Sequence, residues 1–518
     1  MGFTAVVKGN ESYPESRVLI IITGGTICMQ PSADGSGLVP VVGFLENAMA
    51  PRPSFNDRSE RVKLTAIKDG EKVQLDSLRT PPSAYSRHIR YGALEFSPLL
   101  DSSSISSDGW TQIATTVKEN YHLYDGFVVL HGTDSLAYSA SALSFMMEDL
   151  GKPVIFTGSQ ASIFALQSDA VDNLLGSLII AGTFVIPEVG LFFHHTLFRG
   201  NRTTKVSASQ FQAFDSPNCE PLAKVTSIGI DVNWSLIHRP TKIAQFKVTP
   251  YLDTTHVACV RIFPGIKPEM VDFVSSVPDL KGLILETFGM GNAPSGVDGS
   301  LTKAIRSAVE RGITVINVSQ CTNGFVSPLY APGFALGKAG VVFGHDLTSE
   351  AALTKLGYLL ALDIEPAEVA ARMSRSLRGE LTELALPAFT HPAGSEESNA
   401  LLSGAEAAFT LLGYAIAKGD LKAVNDLLEG DEVNHQLLMR ADYAGNTAMH
   451  LAAVGPEKEV LKELLLRGAS VHERNRANNT PLFLATKCGK QEFVDLLTEA
   501  GAALWEEEAA TNGVTAKA

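Results

Sequence analysis

What this chain has little of narrows it first. Its five cysteines, Cys28, Cys219, Cys259, Cys321 and Cys488, are odd in number, and no two stand at metal-ligand spacing. That usage argues against a disulfide framework or a zinc site and for a reducing compartment, the cytoplasm. Positive charge is also short: 42 Lys and Arg against 56 Asp and Glu leave a formal net charge of -14. A nucleic-acid surface needs clustered Lys and Arg to displace counterions, so neither nucleic acid nor an anionic membrane is an expected partner. No apolar run is long enough to span a bilayer. The longest, Leu174 to Phe193, holds Pro187 and Glu188 and reads as a buried helix, a turn and a strand. Residues 1–15 have no apolar signal core, and Val6 stands where a myristoylation motif needs Ser or Thr. Two catalytic signatures are missing too. There is no Gly-x-Ser-x-Gly elbow, and Gly289-Met290-Gly291 is no dinucleotide fingerprint, because Pro294 takes the place of the third glycine.

What is present is globular. With 518 residues, 45% hydrophobic and 19% charged, the chain predicts several domains with sizeable cores. After an N-terminal tail, residues 1–16, short apolar runs alternate with helical segments over residues 17–225. Val18 to Ile22, Gly126 to Leu130, Val154 to Phe156 and Val189 to Phe193 suit strands buried on both faces of a parallel sheet. Leu136 to Leu150 has helical spacing. The rhythm breaks over an inter-lobe linker, residues 226–256. It resumes over residues 257–380, with strands at Ala258 to Ile262, Gly282 to Glu286 and Thr314 to Val318. The fold class is α/β, with two lobes.

Residues 381–405 are rich in Pro, Gly, Ser and charge around Leu386 to Ser398, and read as a linker. Residues 406–506 repeat, before a tail at 507–518. Asn446-Thr447-Ala448-Met449-His450-Leu451-Ala452 is echoed 33 residues later by Asn479-Thr480-Pro481-Leu482-Phe483-Leu484-Ala485. Leu461 and Val494, Leu464 and Leu497, and Gly468 and Gly501 share that offset. Ala415, Val424 and Leu427 form a degenerate copy, 37 residues before Ala452, Leu461 and Leu464. This is the period of the ankyrin repeat, an all-α helix-pair stack whose units bury their apolar faces only against neighbours.

Four segments could carry chemistry. Thr23-Gly24-Gly25-Thr26-Ile27 follows the first strand, where two glycines allow a ligand close to the backbone and Thr26 would project a hydroxyl. The same residues also make an ordinary capped turn. His131-Gly132-Thr133-Asp134-Ser135 follows Gly126 to Leu130 in the same way. Asp134 would cap the next helix or bind an amine, and His131 reads as a packed residue. Asp101-Ser102-Ser103-Ser104 is a turn whose hydroxyls and N–H groups could receive a carboxylate. Arg199-Gly200-Asn201-Arg202-Thr203-Thr204-Lys205 is either a solvated basic loop or the carrier of a lysine that takes a proton from a threonine.

Taken together, and with Phe288-Gly289-Met290-Gly291-Asn292-Ala293-Pro294 and Asn317-Val318-Ser319-Gln320-Cys321, these segments resemble the cytoplasmic, type I L-asparaginases from about Arg17 to Gly379. Ankyrin repeats behind such a lobe resemble the animal members. The resemblance implies roles. Thr26 would be the nucleophile that forms a β-acyl-threonine intermediate on L-asparagine. Thr133, Asp134 and Lys205 would activate water or assist proton transfer. Asp101, Ser102, Ser103, Thr133 and Asp134 would hold the α-amino-acid end. Neither metal nor cofactor is implied. A homo-oligomer, dimer or tetramer, is implied, and the repeats would bind a protein of unknown identity.

The chain departs from the family in two places. The loop from Cys28 to Leu38 has no tyrosine where secreted-type enzymes keep a catalytic one, which leaves Tyr330 as a candidate substitute. Thr204 and Cys321 match two residues of the bacterial allosteric asparagine site, but Glu286 stands where its arginine would be. Two further readings stand beside the enzyme: an inactive amidohydrolase lobe serving the repeats as an interaction protein, and a lysophospholipase, which would need another nucleophile.

Overall fold

The structure is a computed structural model that describes residues 13–32, 37–99, 102–239, 244–249, 251–328, 331–382, 404–428, 437–505 and 508. These fall into two compact units, the larger ending at 382 and the smaller beginning at 404.

Five parallel strands centre the larger unit: β1 (Glu15–Ile22), β2 (His88–Glu95), β3 (Gly126–Leu130), β4 (Val154–Thr157) and β5 (Val189–Phe193). They lie in the order β2-β1-β3-β4-β5 within a nine-stranded sheet. Short antiparallel strands extend both edges. Alternate residues face opposite cores, as a pleat requires. Leu19, Ile21, Phe127, Val129 and Phe156 enter one cluster, while Val18, Ile20, Ile22, Val128 and Leu130 enter the other. Helices cover both faces. α1 (Ser107–Asn120) and α2 (Leu136–Met146) pack on the first cluster through Trp110, Ile113, Val117 and Leu143; α3 (Ala170–Thr183) packs on the second through Leu174 and Leu178.

A second parallel sheet follows, with β6 (Val257–Arg261), β7 (Gly282–Thr287), β8 (Thr314–Ser319) and β9 (Val342–Phe343) in sequence order. α4 (Pro268–Ser275) and α5 (Ser300–Glu310) cover one face through Val271, Leu301 and Ile305. On the other face α7 (Ser349–Leu360), which follows α6 (Ala331–Lys338), sets Ala352, Leu356 and Leu359 in the same cluster as α2. The two lobes therefore share a core. α8 (Pro366–Met373) closes the lobe.

The smaller unit contains α9 (Gly404–Lys418), α10 (Leu421–Leu427), α11 (Ala448–Val454), α12 (Lys458–Leu466), α13 (Pro481–Lys487) and α14 (Gln491–Glu499). α13 and α14 begin 33 residues after α11 and α12, and Thr447 and Thr480 cap equivalent helices. Leu412, Val424, Leu461, Leu464 and Leu497 form a continuous core, as stacked repeats must. In the degenerate copy the fully buried leucine is Leu428, one residue beyond the expected Leu427.

Several sequence expectations need correction. The helix expected from Leu136 to Leu150 stops at Met146, because Met147 and Glu148 pair antiparallel with Val248 and Lys247. β2 escapes an apolar-run search because Arg90 and Gly92 interrupt it; the Arg90 charge is met by Glu15 on β1 at 2.7 Å. Inside residues 226–256, Ile230–Val232 is an edge strand of the large sheet. Of the proposed linkers, repeats and tails, residues 1–12, 240–243, 250, 383–403, 429–436, 506–507 and 509–518 lie outside the described residues.

Candidate active site

The chain goes from β1 to β2 on one side and then crosses to β3 on the other. Such a divergence opens a crevice at the carboxyl ends of the strands. Two candidate turns emerge there. Thr23 follows β1 and donates from N and Oγ1 to the Leu130 carbonyl at 3.0 and 2.9 Å, which ties the first turn to the end of β3. Gly25 has φ 95°, and a Cβ built on it would stand 2.5 Å from the Gly132 nitrogen, so the backbones of the two turns touch. Thr26 then opens a 3-10 turn, Thr26–Cys28, half-buried over the buried Ile27 and Cys28.

The third turn comes from the end of β2. Ser102 is buried against Gly132, where a Cβ would stand 2.4 Å from its Oγ, and its carbonyl accepts from Ser135 Oγ at 2.5 Å. Ser103 is exposed in the same 3-10 turn, Ser102–Ser104. Asp101 and Tyr330, both singled out in the sequence, lie outside the described residues.

Lys205 joins from a distant segment. Its Nζ donates to Thr133 Oγ1 at 3.0 Å and to Asp134 Oδ1 at 2.9 Å. Asp134 does not cap α2: the N-cap is Ser135, and the Asp134 carboxylate, 70% exposed, opens to solvent beside the lysine. Hydroxyl, amine and carboxylate are thus linked in series by two hydrogen bonds. Nor is the basic segment before Lys205 a solvated loop. Arg199 and Arg202 are 5% and 4% exposed and are paired with Glu188 and Asp346 at 2.6 and 2.8 Å. His131 is packed as expected. Its Nδ1 meets the Gly132 carbonyl at 2.8 Å, its Nε2 meets Ser139 Oγ at 3.0 Å, and burial pushes its pKa down to about 4, so it stays neutral at neutral pH.

Sequence reasoning missed Gln160. Its side-chain oxygen accepts from Thr133 Oγ1 at 3.2 Å, and Asp169 holds its backbone N–H. The signal was available, because Gly158-Ser159-Gln160 follows β4 at the same sheet edge as the other turns. Thr204, Glu286 and Cys321 line one cavity of about 270 Å³, where Thr204 Oγ1 donates to Glu350 at 2.8 Å. Among the described residues no group of three or more His, Cys, Asp or Glu could hold a metal ion, and no helix is long and apolar enough to cross a membrane.

The family models for Asparaginase, N-terminal and for the Glutaminase/Asparaginase C-terminal domain match residues 17–238 and 256–373. L-asparaginase 1 of Escherichia coli K12 is 40% identical over 373 residues, which cover 71% of this chain and 98% of that protein. The chain belongs to the asparaginase family. A relative that extends into the repeats, the L-asparaginase of Dirofilaria immitis, is 38% identical and covers 95% of this chain and 82% of its own length. The 60 kDa lysophospholipase of Mus musculus is 39% identical over 88% of this chain and 79% of its own. The crystal structure of L-asparaginase I from Vibrio cholerae superposes with a TM-score of 0.59 at 40% identity, covering 71% of this chain and all of that one. An ankyrin-repeat model with three copies matches residues 412–507. The chain is thus an asparaginase-family hydrolase joined to ankyrin repeats, as the sequence resemblance implies.

Proposed function

We propose that this chain hydrolyses the side-chain amide of L-asparagine to L-aspartate and ammonia. Thr26 Oγ attacks the amide carbon, ammonia leaves, and water then cleaves the β-acyl-threonine ester, returning the proton to Thr26. Thr133, Lys205 and Asp134 serve as the proton relay, and Asp134 with Ser102, Ser103 and Asp101 receives the α-amino-acid end. The observation that carries this reading is Lys205 bridging Thr133 and Asp134 beside the Gly25–Gly132 contact, because that contact brings the Thr26 turn against the relay. A hydroxyl is a weak nucleophile until a base takes its proton, and an amine held between a hydroxyl and a carboxylate suits that task. Five free cysteines suit a reducing cytoplasm. A homo-oligomer and a protein partner for the repeats belong to the same reading.

The name of the mouse relative favours a second reading, hydrolysis of a lysophospholipid ester. Ammonia release from L-asparagine, with L-glutamine in parallel, and fatty-acid release from lysophosphatidylcholine separate the two. Ammonia from asparagine that disappears in a folded Thr26→Ala variant is expected. Release of fatty acid alone would replace the proposal, and no activity in either assay would favour the interaction-protein reading.

A further inference from the structure

Lys205 reaches the crevice at the end of a segment that leaves the sheet strand Thr196–Arg199, passes through one 3-10 turn, Gly200–Arg202, and ends in a two-residue ladder where Thr204 and Lys205 pair antiparallel with Asp215 and Phe214. A ladder of two residues does not by itself fix the turn that leads into it, and that turn must be held if the side chain is to keep its 3.0 and 2.9 Å contacts. The fixing groups come from a stretch beyond the family match, which stops at 373. The Gly379 carbonyl accepts from Arg202 Nε at 2.7 Å and from Arg199 Nη1 at 3.4 Å. Gly379 has φ 74°, and a Cβ there would stand 2.6 Å from the His238 ring and 2.8 Å from Arg199, so only glycine brings that carbonyl between the two arginines. The Arg378 carbonyl accepts from Asn201 Nδ2 at 3.0 Å. Thr382 Oγ1 accepts from Arg202 Nη2 at 3.1 Å and donates to Asp346 at 2.6 Å, while Asp346 also takes Arg202 Nη1 at 2.8 Å.

The stretch is itself anchored. Glu380 accepts the N–H groups of Leu377 and Arg378 and pairs at 2.6 Å with Lys355 on α7, both side chains being fully buried. Burial raises the Asp346 carboxyl, but the Thr382 hydroxyl and Arg202 outweigh it and hold the group below its usual range. Arg202 thus faces a carboxylate, a carbonyl and a hydroxyl at once, which uses the planar fork that a lysine lacks.

We propose that residues 377–382 form a brace that positions Lys205 for the reaction, with Arg202, Asp346 and Thr382 as positioning residues outside the substrate's reach. This rests on the role given to Lys205 above. The brace takes in the first two residues, 381 and 382, of the stretch expected to be linker, so the functional unit runs past the end of the family match.

Two variants in the full chain test it. Thr382 is exposed, so Thr382→Val is tolerated by the fold while deleting two bonds of the cluster. Arg202→Lys keeps the charge and loses the fork. kcat for asparagine should fall about 10-fold in either, because small misplacements of a reacting group cost that much, with KM within about 2-fold. Thr382→Ser should restore it. On a Lys205→Met background neither change should lower the residual rate further, since both act through the same side chain. A merely structural role would lower Tm and leave kcat of the folded enzyme unchanged. Parental kcat in both variants, with Lys205→Met inactive, would overturn the brace alone. Full activity in Lys205→Met would overturn the role of Lys205 itself.

Discussion

Replacing Lys205 with methionine separates chemistry from folding, because the structure assigns the two very different magnitudes. Methionine keeps the length of the stem and deletes Nζ, hence the 3.0 Å bond to Thr133 and the 2.9 Å bond to Asp134. The pair is poorly shielded: Lys205 is 21% and Asp134 70% exposed at the side chain. Exposed ion pairs contribute roughly 0–1 kcal/mol to stability, so Tm should hardly move. The Thr133 hydroxyl keeps Gln160 as a partner at 3.2 Å, so no buried polar atom is orphaned. For turnover the same deletion removes the only amine beside the hydroxyl among the described residues. Losing a positioned proton-transfer group costs about 10²- to 10⁴-fold in rate, and each tenfold is about 1.4 kcal/mol of barrier. The expected result is a loss of that size in kcat, a small change in the asparagine Kd and a parental melting curve. Steady-state ammonia release, calorimetric titration and thermal unfolding read the three quantities. Parental turnover in the folded variant would reduce Lys205 to a surface charge and refute the relay.

Gly25→Ala should abolish activity and lower stability by about 1–3 kcal/mol, since φ 95° strains an L-residue and the new methyl would meet the Gly132 backbone at 2.5 Å; an active, stable variant in unfolding and turnover assays would show that the two turns need not touch. Glu15 is held at a pKa of about 2, by Arg90 first, against a burial that raises it. Its contribution to stability is therefore complete above pH 4.5 and lost as pH falls toward about 2. Glu15→Gln should accordingly lower Tm at pH 6 and flatten its acid decline, and a parallel-shifted Tm–pH curve would contradict this. A chain ended after Leu386 keeps the brace and should fold and turn over asparagine. One ended after Ser374 loses Glu380 opposite the fully buried Lys355 and should be less stable by about 3–5 kcal/mol or more, as judged by urea unfolding of both.

The strands easiest to read in the sequence were those that need nothing from elsewhere. Gly126–Leu130 is apolar throughout and buried on both faces, so five residues suffice to identify it. β2 is buried at six of its eight residues, but its Arg90 is acceptable only because Glu15 lies within reach on the neighbouring strand, and a linear pattern carries no trace of that pairing. The helix α2 was overrun for the same reason. Met147 and Glu148 fit a helix locally, and what takes them out of it is a strand a hundred residues later. Turns were legible where glycine advertises them, so Thr26 and Thr133 could be singled out from Gly25 and Gly132, whereas Gln160 follows a strand with only one glycine and passed unmarked.

The basic segment Arg199 to Lys205 shows why the site was harder to weigh than to locate. Three cations in seven residues look like solvent-facing charge, and charge alone gives no other answer. Their burial becomes reasonable only with the partners in place: Glu188 for Arg199, Asp346 for Arg202, Asp134 for Lys205. The three acids come from separate stretches of chain, one of them in the other lobe. Burying the first two pairs fixes the backbone that aims the third cation at Thr133. The third pair is the more exposed one, which suits the proposed proton transfer through Lys205. A run of like charges that folding divides into two buried anchors and one accessible group is thus the expected form of a rigid mount for a reactive lysine. The brace variants at Arg202 and Thr382 ask whether that rigidity is used.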